Sequence, residues 1–181
     1  MPFTKLSEVL RNALIEHKIP ELTEFQLKTM AGFKAGKDFI GIGPEGCGKT
    51  HALVFGVLER LQKPSEDDAP RAVIAVSSKE KALELEALFL KFSKRMDLRI
   101  VMVHDKGHKV YQRIDLYEGA DVVIGTSKRL YEMYLQNGLN IGKLKIFAID
   151  DSELIFKQDY RREINRITES ITKCQYIFTD T

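Results

Sequence analysis

One stretch constrains this chain more than any other: Gly43-Pro44-Glu45-Gly46-Cys47-Gly48-Lys49-Thr50. The apolar run Asp38-Phe39-Ile40-Gly41-Ile42 before it reads as a buried strand, and His51-Ala52-Leu53-Val54-Phe55-Gly56-Val57-Leu58 after it reads as a helix. A strand that hands over to a helix through so many glycines leaves backbone N–H groups curled at the helix N-terminus. Those unpaired donors and the helix dipole favour a polyphosphate. The glycines let the main chain wrap an anion without a side-chain clash. The pattern G-x-x-x-x-G-K-[ST] adds Lys49, to reach the β- and γ-phosphates, and the Thr50 hydroxyl, to hold Mg²⁺. The alternative is a glycine turn followed by a helix-capping threonine. The strand before and the helix after are what phosphate binding requires, and they favour that reading.

At 181 residues the chain is the size of one domain with a substantial core. Its net charge of +2 is too small to mark a nucleic-acid partner, so any basic surface has to be local. Cys47 and Cys174 make no disulfide framework and read as reduced thiols. Met1-Pro2-Phe3-Thr4-Lys5 has no apolar signal core and no run is long enough to span a bilayer. No membrane partner is expected, and the cytoplasm is the default location.

Leu6, Val9, Leu10, Ala13 and Leu14 recur at helical spacing, and Pro20 ends that segment. Thr23-Glu24-Phe25-Gln26 is a capping box opening a second helix, which Gly32 and Gly36 close. Beyond the loop helix, which runs to about Leu61, the residues from Lys63 to Pro70 read as an exposed connection. Strands are then predicted over 72–76, 99–103, 121–125, 145–149 and 175–178. Helices over 79–92, 111–116, 128–135 and 160–171 alternate with them. Continuous apolar strands alternating with helices predict an α/β fold, a three-layer parallel sheet covered on both faces, with ligands at the strands' carboxyl ends.

The strand ending at Ile149 delivers Asp150-Asp151-Ser152-Glu153 at that end. An acid there supports Mg²⁺ in a phosphate-loop site, and a second beside it can orient or deprotonate an attacking water. The other reading is an acidic first turn of a solvated helix. His104 and His108 have a metal-pair spacing but no third ligand nearby, and are expected to be solvated.

Over nearly its whole length the sequence resembles the first RecA-like domain of the DEAD-box RNA helicases. The phosphate loop corresponds to their motif I. Thr23 and Gln26 match the adenine-reading Q motif, with Leu22 and Phe25 in place of its proline and isoleucine. Ser77-Ser78-Lys79-Glu80-Lys81-Ala82 stands where the family has P-T-R-E-L-A, and Thr126-Ser127-Lys128-Arg129-Leu130 where it has T-P-G-R-L. Asp150-Asp151-Ser152-Glu153 occupies the D-E-A-D position, and Thr179-Asp180-Thr181 that of S-A-T. Four departures stand out. Asp151 replaces the catalytic glutamate, Glu153 the closing aspartate, Ile19 the aromatic that stacks on adenine, and Gly107 alone represents the glycine pair.

The resemblance implies that residues 1–181 form a single RecA-like ATP-binding domain of the P-loop NTPase class, with Q-motif helices over 1–36 and a P-loop core over 37–181. No second RecA-like domain is expected within them, and in the family that domain, in cis or in trans, completes hydrolysis with its arginines. ATP or ADP with Mg²⁺ would be held by Thr23, Gln26, Gly43, Pro44, Glu45, Gly46, Cys47, Gly48, Lys49 and Thr50. Thr50 and Asp150 would serve the metal, and Lys49, Asp150 and Asp151 the chemistry. RNA would be held by its backbone, with little sequence preference, on Ser78, Lys79, Gly107, Thr126 and Arg129. Two functions stay open: half of an ATP-dependent RNA helicase, slow or silent alone, and a degenerate module that docks RNA or a protein partner.

Overall fold

The computed structural model describes Phe3, residues 5–150 and residues 157–180. Asp151, Ser152, Glu153 and Thr181 lie outside the described residues. In chain order the elements are α1 (Glu8–Glu16), α2 (Glu24–Ala35), β1 (Phe39–Ile42), α3 (Lys49–Leu61), β2 (Ala72–Val76) and α4 (Lys79–Ser93). They continue as β3 (Ile100–Val103), α5 (Lys109–Tyr117), β4 (Val122–Thr126), α6 (Ser127–Leu135), β5 (Ile146–Asp150), α7 (Gln158–Thr168) and β6 (Gln175–Asp180). The strands form one sheet in the order β1-β6-β5-β2-β4-β3, and every pairing is parallel. The three-layer α/β architecture is the one the sequence predicts.

Strand periodicity builds the two cores. Along β2, Ala72, Ile74 and Val76 enter a cluster with residues of α1 to α4, while Val73 and Ala75 enter one with residues of α5 to α7. Successive side chains point to opposite faces, so a strand apolar at every position is buried on both. The capping box of α2 forms as expected: the Thr23 main chain donates to Gln26 Oε1 at 3.0 Å, and Gln26 N donates to Thr23 Oγ1 at 3.3 Å. Gly36 ends that helix at φ +64°. Gly32 does not help to close it but lies inside it, where an added Cβ would come within 2.8 Å of the Phe39 ring.

Three expectations are corrected. β1 is not a buried strand: Ile40 and Ile42 are 65% and 71% exposed. The reason is position, because β1 is the outer strand and its apolar run is covered only on the α2 side, where Gly41 meets Phe25 and Thr29. The helix predicted to reach Ile171 stops at Thr168, whose hydroxyl donates back to the Ile164 and Asn165 carbonyls. The last strand runs on to Asp180, because pairing with β1 and β5 continues past the apolar residues.

At the opposite end of the sheet from the phosphate loop, wholly buried Asp121 precedes β4 and ties three connections together. It accepts from the Ser65 main chain (2.7 Å), Arg71 Nη2 (2.8 Å), the Arg99 main chain (3.0 Å) and Arg99 Nε (3.1 Å). Burial pushes the carboxyl up, but the hydrogen bonds from Arg99, Ser65 and Arg71 outweigh it and hold Asp121 below the ordinary aspartate range. No helix among the described residues is long and apolar enough to cross a membrane.

Asp121→Asn keeps the shape but leaves buried Arg71 without its counter-charge and Arg99 with only the exposed Asp68. It should cost about 3–5 kcal/mol in urea denaturation at neutral pH. The folded carboxyl is the more acidic one. Its contribution is therefore complete above the unfolded value of about 3.9 and is lost as pH falls through the lower folded value. The gap between parent and variant should be flat near neutrality and shrink in acid. A gap that widens in acid would show that another group carries it.

Candidate functional site

The phosphate loop leaves β1 at Gly43, whose N–H donates to the Asp180 carbonyl of β6 at 3.1 Å. Gly46 and Gly48 take φ of +78° and +93°, conformations that L side chains rarely adopt. At Gly48 space is a second constraint, since a Cβ would lie 2.5 Å from Gln26 Nε2. Lys49 and Thr50 open α3, and the Lys49 ammonium donates to the Gly43 and Pro44 carbonyls. Those bonds bring its charge back over the loop that precedes it.

The second helix grips this loop directly. Thr23 Oγ1 donates to the Cys47 carbonyl at 2.9 Å, and Gln26 Nε2 donates to the Gly48 carbonyl at 3.4 Å. Gln26 is buried, with its carbonyl oxygen committed to the capping box and its amide nitrogen to the loop. Its side chain therefore couples helix and loop, a role the residue pattern alone does not show.

Asp150 ends β5 and is buried; Thr179 Oγ1 of the neighbouring β6 donates to its Oδ1 at 2.6 Å. Register explains the meeting, because Asp150 and Thr179 are direct partners across the two strands. An open cavity of about 730 Å³ joins Lys49, Thr50, Asp150 and Thr179 with His51, Lys81 and Glu84. The last three were missed from sequence. Lys81 and Glu84 sit three apart on the first turns of α4, a spacing that reads as an ordinary surface pair. The His51 ring packs edge-on to Phe55 and Phe92. Burial and then Lys91 lower its pKa against an opposing pull from Glu84, so it is uncharged at neutral pH.

The residues expected along the strand ends divide into two kinds. Ser78 caps α4, its hydroxyl accepting from Lys81 N at 3.2 Å, and Lys79 is half-buried beside it. Thr126 is buried and donates to Asp105 Oδ1 at 3.3 Å. Arg129 is buried too: Nη1 donates to the Gly107 carbonyl (3.2 Å) and Gln112 Oε1 (2.6 Å), Nη2 to the Asp105 carbonyl (3.1 Å). Its guanidinium holds the 105–107 loop from beneath, and nothing in T-S-K-R-L announces that. Gly107 allows the close approach, since a Cβ there would lie 2.0 Å from Gln112 Nε2. His104 is not solvated as expected but buried, its main-chain N–H donating to Gln112 Oε1 at 3.3 Å. Burial, then Lys79 and Arg129, lower its pKa. Among the described residues no group of acids, histidines and cysteines could hold a metal by itself.

Comparison with known proteins bears on this arrangement. The family model for DEAD/DEAH box helicases matches residues 23–179. A probable ATP-dependent RNA helicase, DDX46, from Danio rerio is 28% identical over 172 residues, covering 92% of this chain and 17% of that protein. Its human counterpart is 26% identical over the same span. The ATP-dependent RNA helicase dbp9 of Aspergillus niger is 30% identical over 170 residues, 91% of this chain and 28% of that protein. The chain thus spans less than a third of the length of these relatives.

Arg129→Lys tests the loop-holding role. One ammonium cannot serve three acceptors arranged for a planar fork, so the variant should lose about 1.5–3 kcal/mol in chemical denaturation. Unchanged stability would mean that the guanidinium is not holding the loop.

Proposed function

The chain belongs to the DEAD/DEAH box helicase family, and from that premise we propose that it is the nucleotide- and RNA-binding half of an ATP-dependent RNA helicase. One observation supports this above the others. A single cavity collects the loop lysine, the Thr50 hydroxyl, the buried Asp150 and its partner Thr179, and the predicted adenine-reading helix is bonded to the same loop.

In this reading the loop N–H groups and Lys49 bind the phosphates, while Thr23 and Gln26 set the loop against the adenine end. Gly43, Pro44, Glu45, Gly46 and Cys47 supply the main chain that cradles the anion. The donor set suits Mg²⁺, a hard cation that takes a hydroxyl and one or two carboxylates together with phosphate oxygens. Thr50 and Asp150 are the residues that would hold it, and bound there it would neutralise charge on the phosphates. Thr179 orients the Asp150 carboxylate. Asp151 would position the attacking water, and arginines of a second RecA-like domain would complete the reaction. RNA would lie across the strand ends on Ser78, Lys79, Gly107 and Thr126, with Arg129 shaping the loop beneath it. Contacts of this kind hold phosphates and read few bases.

Two measurements test the reading. Lys49→Ala should weaken ADP binding in titration calorimetry by about ten- to a hundredfold, the worth of a hydrogen-bonded charge. Undiminished affinity would reduce the loop to a structural turn.

The second concerns Asp151, one methylene shorter than the family's glutamate. A shortfall near 1 Å can cost about a hundredfold in a positioned reaction. Asp151→Glu should therefore raise RNA-stimulated phosphate release when a second RecA-like domain is supplied. A fall in rate would show a site rebuilt around the shorter side chain. No release from either form would favour the docking-module alternative.

A further inference from the structure

Lys81 stands where the family carries a leucine, in the first turn of α4. A leucine there would have only apolar surface to offer. The lysine instead lines the cavity that holds Lys49, Thr50 and Asp150. Its ammonium lies 3.5 Å from Glu84, with side-chain exposures of 47% and 54%. A long, half-exposed ion pair is weak, so it leaves the ammonium available to a stronger anion. We propose that Lys81 is a second phosphate-binding cation of this site, one that makes it favour a nucleoside triphosphate over a diphosphate.

This role for Lys81 rests on the nucleotide reading above. The loop N–H groups and Lys49 line this cavity and serve the phosphate chain, Lys49 reaching towards its β- and γ-phosphates. A third phosphate adds negative charge to a cavity whose wall α4 completes with Lys81 and Glu84. Lys81 is the cation that α4 brings to the lining of this cavity. Because it stands on α4 and not on the loop, its charge would add to that of Lys49 at the terminal phosphate, and screening confines an exposed ammonium to such near neighbours.

The test is titration calorimetry in Mg²⁺ with ADP and with an ATP analogue whose β–γ bridge cannot be hydrolysed, on the parent, Lys81→Ala, Lys81→Arg and Glu84→Gln. Lys81→Ala should weaken the analogue roughly fivefold, the ceiling for a half-exposed ion pair, and leave ADP within a factor of about two. Lys81→Arg should restore the difference, and Glu84→Gln, which frees the ammonium, should tighten the analogue. ADP binding reports that each variant is folded. Equal loss of both ligands in Lys81→Ala, or loss of neither, would overturn the assignment while the nucleotide reading stands. A parent that binds neither ligand would overturn both.

Discussion

β6 pairs in parallel with β1 on one side and β5 on the other, and the whole candidate site depends on that pairing. It brings the Asp180 carbonyl to Gly43 N and the Thr179 hydroxyl to Asp150. It also sets the phosphate loop and the acidic strand end two strand spacings apart, about 10 Å. Because parallel strands need crossovers, the connections that allow this pairing also supply the helices on the two faces. Sheet topology and site geometry are thus one constraint.

Much of this was legible along the chain, and the reason is local. The glycine loop, the Thr23–Gln26 capping box and the apolar strands announce themselves because each depends on residues only a few positions apart. What could not be read depends on partners far away in sequence. Ile40 and Ile42 look like core residues until the strand order makes β1 an edge. Arg129 looks like a solvent-facing cation until the 105–107 loop is folded over it, twenty-two to twenty-four residues back. His104 was expected in solvent because it follows a strand, yet Gln112 pairs with its main chain and the site closes. Family resemblance assigns Gln26 to a base, while the fold commits its amide to Gly48.

The N-terminal helices are joined to the P-loop core at two levels. Glu59 of α3 is buried and accepts from the Ser7 main chain and hydroxyl, with Lys34 3.0 Å away. Thr23 and Gln26 then meet the loop at the other end of α3. A carboxylate so deeply placed would be costly without those partners, so the first helices cannot leave α3 without exposing it. α2 and the phosphate loop are therefore tied directly to one another. A change at the loop would be passed to α2 through two hydrogen bonds and not through a flexible hinge.

Charge in the cavity points the same way as its donors. Among the described residues it is lined by four carboxylates, Glu45, Glu84, Asp150 and Asp180, against two ammonium groups, Lys49 and Lys81. A bare polyphosphate would meet repulsion from these acids and attraction from the loop N–H groups, Lys49 and Lys81. A divalent cation reverses the local sign and turns the acids into support. The acid-rich strand ends and the cation-bearing loop are thus complementary halves of one cavity. Lys81, on α4, adds a second ammonium to that wall away from the loop sequence itself.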